Sequence, residues 1–280
     1  MQITSQPENL SRHLNPARFG AEIWRSRAIL FLFARKEVSQ RYRGSRLGLF
    51  WITLQPLFLL VIYTVAFGVI MKPKWPESPR VGLGSVAMII YCGLTAYGIL
   101  AECATRGPTL LVENQSYVKR ALFPIQLLPL CVVLSASFHG LVNLAILTVL
   151  GWLTNGLYAP ALLAPILLVP LILFCCGLTL LLAAIGPLFR DVRHFITPAL
   201  LAVSFLTPLV YSPRLVPHNL QWLIVDNPLA FTITNLRELV LWHTDADWPG
   251  WCLWLLASAA FLVFAHAIFM RLRHEITDAV

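Results

Sequence analysis

The chain has 280 residues, of which 58% are hydrophobic and only 12% charged. Soluble domains carry roughly 25% charged residues and 45–50% apolar ones even with glycine counted, so composition excludes a water-soluble fold. A net charge of +8 in a soluble protein would point to nucleic acid; in a membrane protein the positions of the charges matter more than their sum, and no nucleic-acid partner is expected.

Residues 1–46 form a basic cytoplasmic arm. It opens MQITSQPENLSRHLNP, with no charged start leading into an apolar run, so no cleavable signal peptide is expected and the first span does the targeting. Phe31, Ala34, Val38 and Tyr42 recur at steps of three and four, while Arg35, Lys36, Gln40 and Arg43 point elsewhere. The spacing predicts an amphipathic helix in the membrane interface, with Arg35, Lys36, Arg41, Tyr42 and Arg43 as its interfacial residues. A basic arm that only anchors to anionic lipid fits the same pattern.

From 47 to 280 the chain reads as a single transmembrane domain. A hydrocarbon core of ~30 Å takes about 20 helical residues, and six segments meet that need: 47–71, 83–101, 125–151, 161–185, 195–211 and 249–270. Connections on one side hold 16 Lys and Arg and those on the other hold 5, which places both termini in the cytoplasm. Pro160, Pro165, Pro170 and Pro187 are expected to kink or bound the fourth span. Between the fifth and sixth spans, residues 217–242 are apolar in two pieces too short to cross, broken at Asp226, Asn227 and Pro228. Asp226 or Asn227 suits a helix N-cap and Pro228 the first turn. The expectation is an all-α integral membrane protein with six transmembrane helices, an N-terminal interfacial amphipathic helix and a re-entrant outer helical hairpin. Two helices lying flat on the outer surface are the alternative for the hairpin.

Cys92, Cys103, Cys131, Cys175, Cys176 and Cys252 lie in or at the ends of apolar segments without Cys-x-x-Cys spacing, so neither a disulfide nor a metal site is expected. Nor does the chain carry its own motor. A phosphate-cradling loop needs Gly-x-x-x-x-Gly-Lys-Ser/Thr, and none of the four lysines, Lys36, Lys72, Lys74 and Lys119, follows a glycine. Ion coupling needs ionisable groups in mid-membrane, whereas the only carboxylate near a span interior, Glu102, lies at an inner end. An external motor remains, and no cofactor is expected in this chain. Three cytoplasmic features suit docking to it. ENQSYVKRALFP reads as a short helix with Glu113 near its start and Lys119 and Arg120 near its end, matching the helix dipole. Phe189-Arg190-Asp191-Val192-Arg193-His194 is a tight turn, and Glu102 and Arg106, one turn apart, are expected to pair as helix support. Ordinary positive-inside loops fit the same residues.

The motifs fall in a recognisable order: Arg41-Tyr42-Arg43-Gly44-Ser45-Arg46-Leu47-Gly48-x-x-Trp51-x-x-Leu54-Gln55-Pro56, Phe123-Pro124 with Pro129, Phe189-Arg190-Asp191, and Asn227-Pro228-Leu229. Together they resemble the ABC-2 type polysaccharide-export permeases, which serve O-antigen, capsule or teichoic acid export. The resemblance implies a permease homodimer in the bacterial cytoplasmic (inner) membrane, bound to two copies of a separate nucleotide-binding subunit that holds ATP and Mg. It implies a channel through which a lipid-linked glycan is pushed outward. It also implies that Glu113, Asn114, Tyr117, Lys119 and Arg120, with Phe189, Arg190 and Asp191, couple to the ATPase. Trp222, Asp226, Asn227 and Pro228 then belong to an outer gate.

Sugars present C–H faces that stack on aromatic rings, and Trp51, Phe58, Tyr63 and Phe67 of the first span are channel candidates on that ground; an interfacial aromatic belt is the competing reading. Ser135, His139 and Asn143 recur every four residues on one face of the third span, where polar groups meet protein or a water-filled path. Interhelical hydrogen bonding fits them as well as glycan contact does. Two rivals stand beside the export permease. One is an ABC-2 permease for drugs or lipids. The other is a membrane-embedded glycosyl or acyl transferase using His243, Asp245 and Asp247 as a metal site; the charge rule places those residues outside, where nucleotide sugars are absent.

Overall fold

The computed structural model describes residues 16–42, 44–71, 75, 83–119, 124–221 and 227–280, and the regular structure among them is all helical. Arg43, Arg120, Trp222 and Asp226, each assigned a role above, lie outside the described residues. A helix satisfies its own backbone N–H and C=O groups, which is what a chain in lipid requires. The arm forms α1 (Pro16–Arg25) and α2 (Arg27–Tyr42). Next come α3 (Trp51–Tyr63), loosening into π-helical turns over Thr64–Met71, and α4 (Leu83–Arg106). They are followed by α5 (Leu127–Asn155), α6 (Val169–Leu188) and α7 (Val192–Leu206). The chain closes with α8 (Pro228–Arg237, extended by π-helical turns over Glu238–Trp242), α9 (Trp248–Arg271) and α10 (Arg273–Ala279).

Five helical stretches are long and apolar enough to cross a membrane: Trp51–Met71, Ser85–Glu113, Leu127–Thr154, Ala159–Leu188 and Trp248–Arg271. Each overlaps a predicted span. The remaining predicted segment, 195–211, corresponds to α7, whose 15 residues stop where Thr207 turns extended. Proline divides the fourth span as expected. Pro160, Pro165 and Pro170 each stand in the first turn of a separate piece, Ala159–Leu163, Ala164–Leu167 and α6, while Pro187 sits in the last turn of α6. Before α8, the Asn227 side chain accepts from the Ala230 N–H at 2.8 Å and Pro228 opens the helix, the cap the sequence predicts.

The core is built around α4. Ile89, Ile90, Cys92, Ala96 and Cys103 are fully covered there by α5, α6 and α8. A second apolar cluster joins Leu110, Leu111 and Val118 to Leu180, Ala184, Phe269 and Ile276, with Leu30 and Phe33 of the arm at its edge. The arm, the 110–118 connection and α10 therefore gather at one end of the bundle. Along α2, which packs on α5, the less exposed residues from 30 to 38 are Leu30, Phe33, Ala34, Glu37 and Val38. Phe31, placed on the apolar stripe by its spacing, is 73% exposed in the single chain; Phe33 packs against the second cluster, and Glu37 is paired with Arg106 of α4.

Outward surfaces are apolar. Phe58, Val61 and Val65 on α3, Leu201 and Phe205 on α7, and Leu253 and Leu256 on α9 are exposed in the single chain. Lipid tails are as apolar as leucine, so such faces are stable in a bilayer without a protein cover.

One close approach fixes the end of the bundle that carries the 110–118 connection. Cysteine-sized side chains have no room where α6 meets the turn Gly107–Thr109: a Cβ on Gly186 would strike the Pro108 carbonyl, and one on Gly107 would stand 2.8 Å from the Leu182 Cβ. This contact sets the end of α6 against the turn that leads into the 110–119 connection. Replacing Gly186 by alanine is expected to cost about 1–3 kcal/mol through overpacking, read as a lower thermal midpoint of the detergent-solubilised protein. Gly20→Ala, with nothing within 4 Å of its added Cβ, should not lower it.

Candidate functional site

A cavity of about 640 Å³ opens among the end of α2 and the adjoining stretches of α3, α4 and α5. Each helix contributes a stripe set by its 3.6-residue turn. From α5 come Ser135, His139 and Asn143, from α4 Tyr91, Thr95, Gly98 and Glu102, and from α3 Gln55, Leu59 and Tyr63. Arg41 and Tyr42 close it from the arm. Gly140 lets α5 come up against Ile99: a Cβ there would meet the Ile99 Cδ1 at 2.5 Å.

The arm's end is held by polar contacts. Arg41 Nη1 donates to Glu102 Oε2 at 2.7 Å. His139 Nδ1 lies 3.2 Å from the same carboxylate oxygen and 3.1 Å from Arg41 Nη1, and its Nε2 lies 3.2 Å from the Tyr42 hydroxyl. Arginine only donates and an ionised carboxylate only accepts, so both neutral tautomers of His139 are satisfied. With the proton on Nδ1 the ring donates to Glu102 and accepts from Tyr42; with it on Nε2 the ring accepts from Arg41 and donates to Tyr42. Burial pushes the Tyr42 phenol above its ordinary pKa, with Arg41 opposing and Glu102 reinforcing the shift, so it remains a hydroxyl at neutral pH. A second pair, Arg106 with Glu37, ties the arm one turn further back, and Glu113 stands 3.8 Å from Arg106.

This corrects the expected pairing of Glu102 with Arg106. Both residues are one turn apart on α4, yet each finds its closer partner on α2, where the arm crosses. Of the seven channel candidates, Tyr63, Ser135, His139 and Asn143 line the cavity. Trp51 instead donates to Ser45 Oγ at 2.9 Å, Phe58 is 63% exposed on the outward face, and Phe67 packs against the core and the Tyr63 ring.

At the docking features, the single helix expected over ENQSYVKRALFP is two one-turn helices, Leu110–Glu113 and Gln115–Val118. Asn114 breaks them, turning its amide back to donate to the Leu110 carbonyl at 2.9 Å, so Glu113 closes a helix and does not open one. Tyr117 meets Phe33 edge-on at 5.1 Å, and the exposed Lys36 stands over its ring at 5.4 Å. Lys119 is exposed, as are Phe189, Arg190 and Asp191; Arg35 faces outward from α2.

Sequence reasoning gave Arg237 no role beyond its charge. Its side chain is 1% exposed, Nε donating to the Ile89 carbonyl at 3.1 Å and Nη2 to Leu209 at 2.8 Å, with Trp75 stacked at 4.9 Å from the guanidinium. An arginine inside an apolar stretch was the signal. The transferase's proposed ligands are used otherwise. Asp247 caps α9 by accepting from Gly250 N–H at 3.0 Å, and His243 stacks on Tyr158 at 4.6 Å. No group of three metal-ligating side chains occurs among the described residues.

A many-helix bundle with outward apolar faces and a polar, ring-lined cavity at one end is the architecture of a membrane translocation subunit. The model of the ABC-2 type transporter family matches residues 29–241, and the chain belongs to that family. The O-antigen export system permease protein RfbA of Myxococcus xanthus is 25% identical over 267 residues, which span 94% of this chain and 99% of that protein. A protein of the same name from Klebsiella pneumoniae is 24% identical over 76% of this chain and 80% of its own length. The polysialic acid transport protein KpsM of Escherichia coli is 23% identical over 80% of this chain and 85% of its own.

If the ion pairs hold the arm, the double variant Glu37→Ala, Glu102→Ala should speed amide hydrogen exchange across 27–42, while Glu113→Ala, more exposed and more distant from its partner, should not. Unchanged exchange in the double variant would assign the arm's attachment to Leu30, Phe33 and Ala34 alone.

Proposed function

We propose that this chain is the permease subunit of an exporter that carries a lipid-linked polysaccharide of the O-antigen, capsule or teichoic acid type out across the bacterial cytoplasmic membrane. End-to-end similarity to proteins named as O-antigen export permeases is the observation that carries this reading. The same names weigh against a drug or lipid permease. The cavity supports it chemically: tyrosine rings from three helices stand beside hydroxyl and amide groups, a lining that suits a polyol sliding through weak, repeated contacts.

In this reading the motor is a separate ATPase, which binds ATP and Mg. Two copies of it sit beneath a permease homodimer, against the one-turn helices around Glu113–Lys119 and the Phe189–Asp191 turn, which lead on from the two segments joined at the Gly186 contact. The long apolar face of α3 is available to lipid or to the second permease. α7, continued by the turns after Thr207, serves as the fifth of six crossings. Both termini then lie in the cytoplasm, in keeping with the shared core of arm, connection and α10. α8, buried among the spans, is the returning limb of the outer hairpin, and Asn227 and Pro228 shape the gate there.

Arg190→Ala with Asp191→Ala should leave the protein in the membrane while abolishing export of surface polysaccharide in a complemented deletion strain. Normal export would remove the docking assignment. For the topology, Asn219→Cys in a Cys252→Ser background should react with a membrane-impermeant maleimide added outside intact spheroplasts; labelling only after lysis would reverse the orientation.

A further inference from the structure

Two ion pairs line the cavity, and both are oriented the same way. Arg41 of the arm meets Glu102 of α4, and Arg106 of α4 meets Glu37 of the arm. In each pair the carboxylate is the covered member, 18% exposed for Glu102 and 21% for Glu37, and the guanidinium is the open one, 47% for Arg41 and 42% for Arg106. The charge that this wall presents to an entering group is therefore positive. A guanidinium carries five N–H donors in a fork and serves more than one acceptor at once. Arg41 commits Nη1 to Glu102, and Arg106 commits Nη2 to Glu37. Arg41 Nε and Nη2 and Arg106 Nη1 make no bond to a described residue. The covered carboxylates fix where the guanidiniums stand and leave donors over.

Arg41 reaches α4 at Glu102, and Arg106 follows one turn later, so the two guanidiniums are offset by about one turn, ~6 Å along the helix axis. Such an offset suits a ligand with two adjoining negative groups, as a diphosphate has. The neighbouring helix α3 serves two media at once. Gln55, Leu59 and Tyr63 line the cavity, while Phe58, Val61 and Val65 lie on the other side of the same helix and are exposed. A molecule with an anionic head and an apolar tail finds both of its environments there, the head beside the guanidiniums and the tail in lipid.

We propose that Arg41 and Arg106 form an anion subsite for a diphosphate, the group that in the export reading joins a glycan to its lipid, and that Glu102 and Glu37 are its positioning residues. The inference rests on the polysaccharide-export reading and deepens it. Each carboxylate competes with the ligand for its arginine while holding that arginine in place. Neutralising the carboxylate should therefore tighten the anion, and removing the guanidinium should loosen it. If the pairs served only to hold the arm, both substitutions would act in the same direction, because either one breaks a pair.

The test is isothermal titration calorimetry on the full-length chain in phosphatidylcholine nanodiscs, without the ATPase so that no nucleotide site competes, using geranyl diphosphate, geraniol and inorganic pyrophosphate as probes. Wild-type protein should bind geranyl diphosphate at least about ten-fold more tightly than geraniol. Arg41→Gln and Arg106→Gln should each weaken the diphosphate about ten-fold, whereas Glu102→Gln should tighten it about three-fold. Pyrophosphate separates the sources: weaker binding than geranyl diphosphate supports a lipid-borne group, and equal binding overturns the lipid assignment while keeping the anion subsite. No preference over geraniol overturns the proposal, as does a Glu102→Gln protein that binds the diphosphate less tightly than wild type. If an arginine variant does not fold, the wild-type preference and Glu102→Gln decide. The export reading has its own readout in the same gene: surface polysaccharide restored to a deletion strain, with no diphosphate preference in vitro, removes the subsite alone, and failure to restore it removes the export reading.

Discussion

Charge inside a low-dielectric bundle must be paired or hydrogen-bonded, and the structure meets that constraint at two points along one helix. Near the start of α4, Arg237 donates to the Ile89 carbonyl; near its end, Glu102 receives Arg41 and faces His139. Thirteen residues separate these points, ~20 Å of helix, so this largely buried helix is pinned near both ends. One pin belongs to the arm and the other to α8. Any motion of the arm or of α8 relative to the spans has to break or carry a charged hydrogen bond, which gives these segments a defined mechanical link to the core and makes them more than peripheral decoration.

The arm has a contact at each end. Its middle meets Tyr117 in the 110–118 connection through Phe33 and Lys36, and its last turn meets Glu102 and His139 at the cavity. The helix that lies against the proposed motor contact is thus the same helix that closes the proposed path. The apolar side of α2 explains why it stays put: Leu30, Phe33 and Ala34 join the second core cluster or pack on α5, so the ion pairs orient a helix that packing already holds.

Much of this was legible from local pattern. Hydropathy located the five long spans, proline marked the divisions at Ala159–Val169, and the Asn227-Pro228 pair predicted the start of α8, because each depends on residues close in sequence. The four-residue spacing of Ser135, His139 and Asn143 predicted a shared face, and that face lines the cavity. What pattern could not supply was partnership across the fold. Glu102 has Arg106 one turn away, but its ion-pair partner is 61 residues distant, and nothing local distinguishes the two. Spacing put Phe31 on an apolar stripe and Phe58 among channel candidates; both rings are exposed in the single chain, and it is Phe33 that packs against the second core cluster. A periodic stripe says that residues share a side; the neighbouring helix decides which side is covered.

The central claim is that the cavity beneath Tyr63 and His139 is part of the route taken by the exported polymer. Photo-crosslinking in living cells tests it most directly, with p-benzoylphenylalanine placed at Tyr63 in one strain and at the outward-facing Phe58 in another. The account predicts that illumination during export attaches glycan to the protein from position 63, seen as a high-mass ladder stained by a glycan-specific antibody, with none from position 58. Adducts from position 58 alone, with position 63 silent, would contradict it.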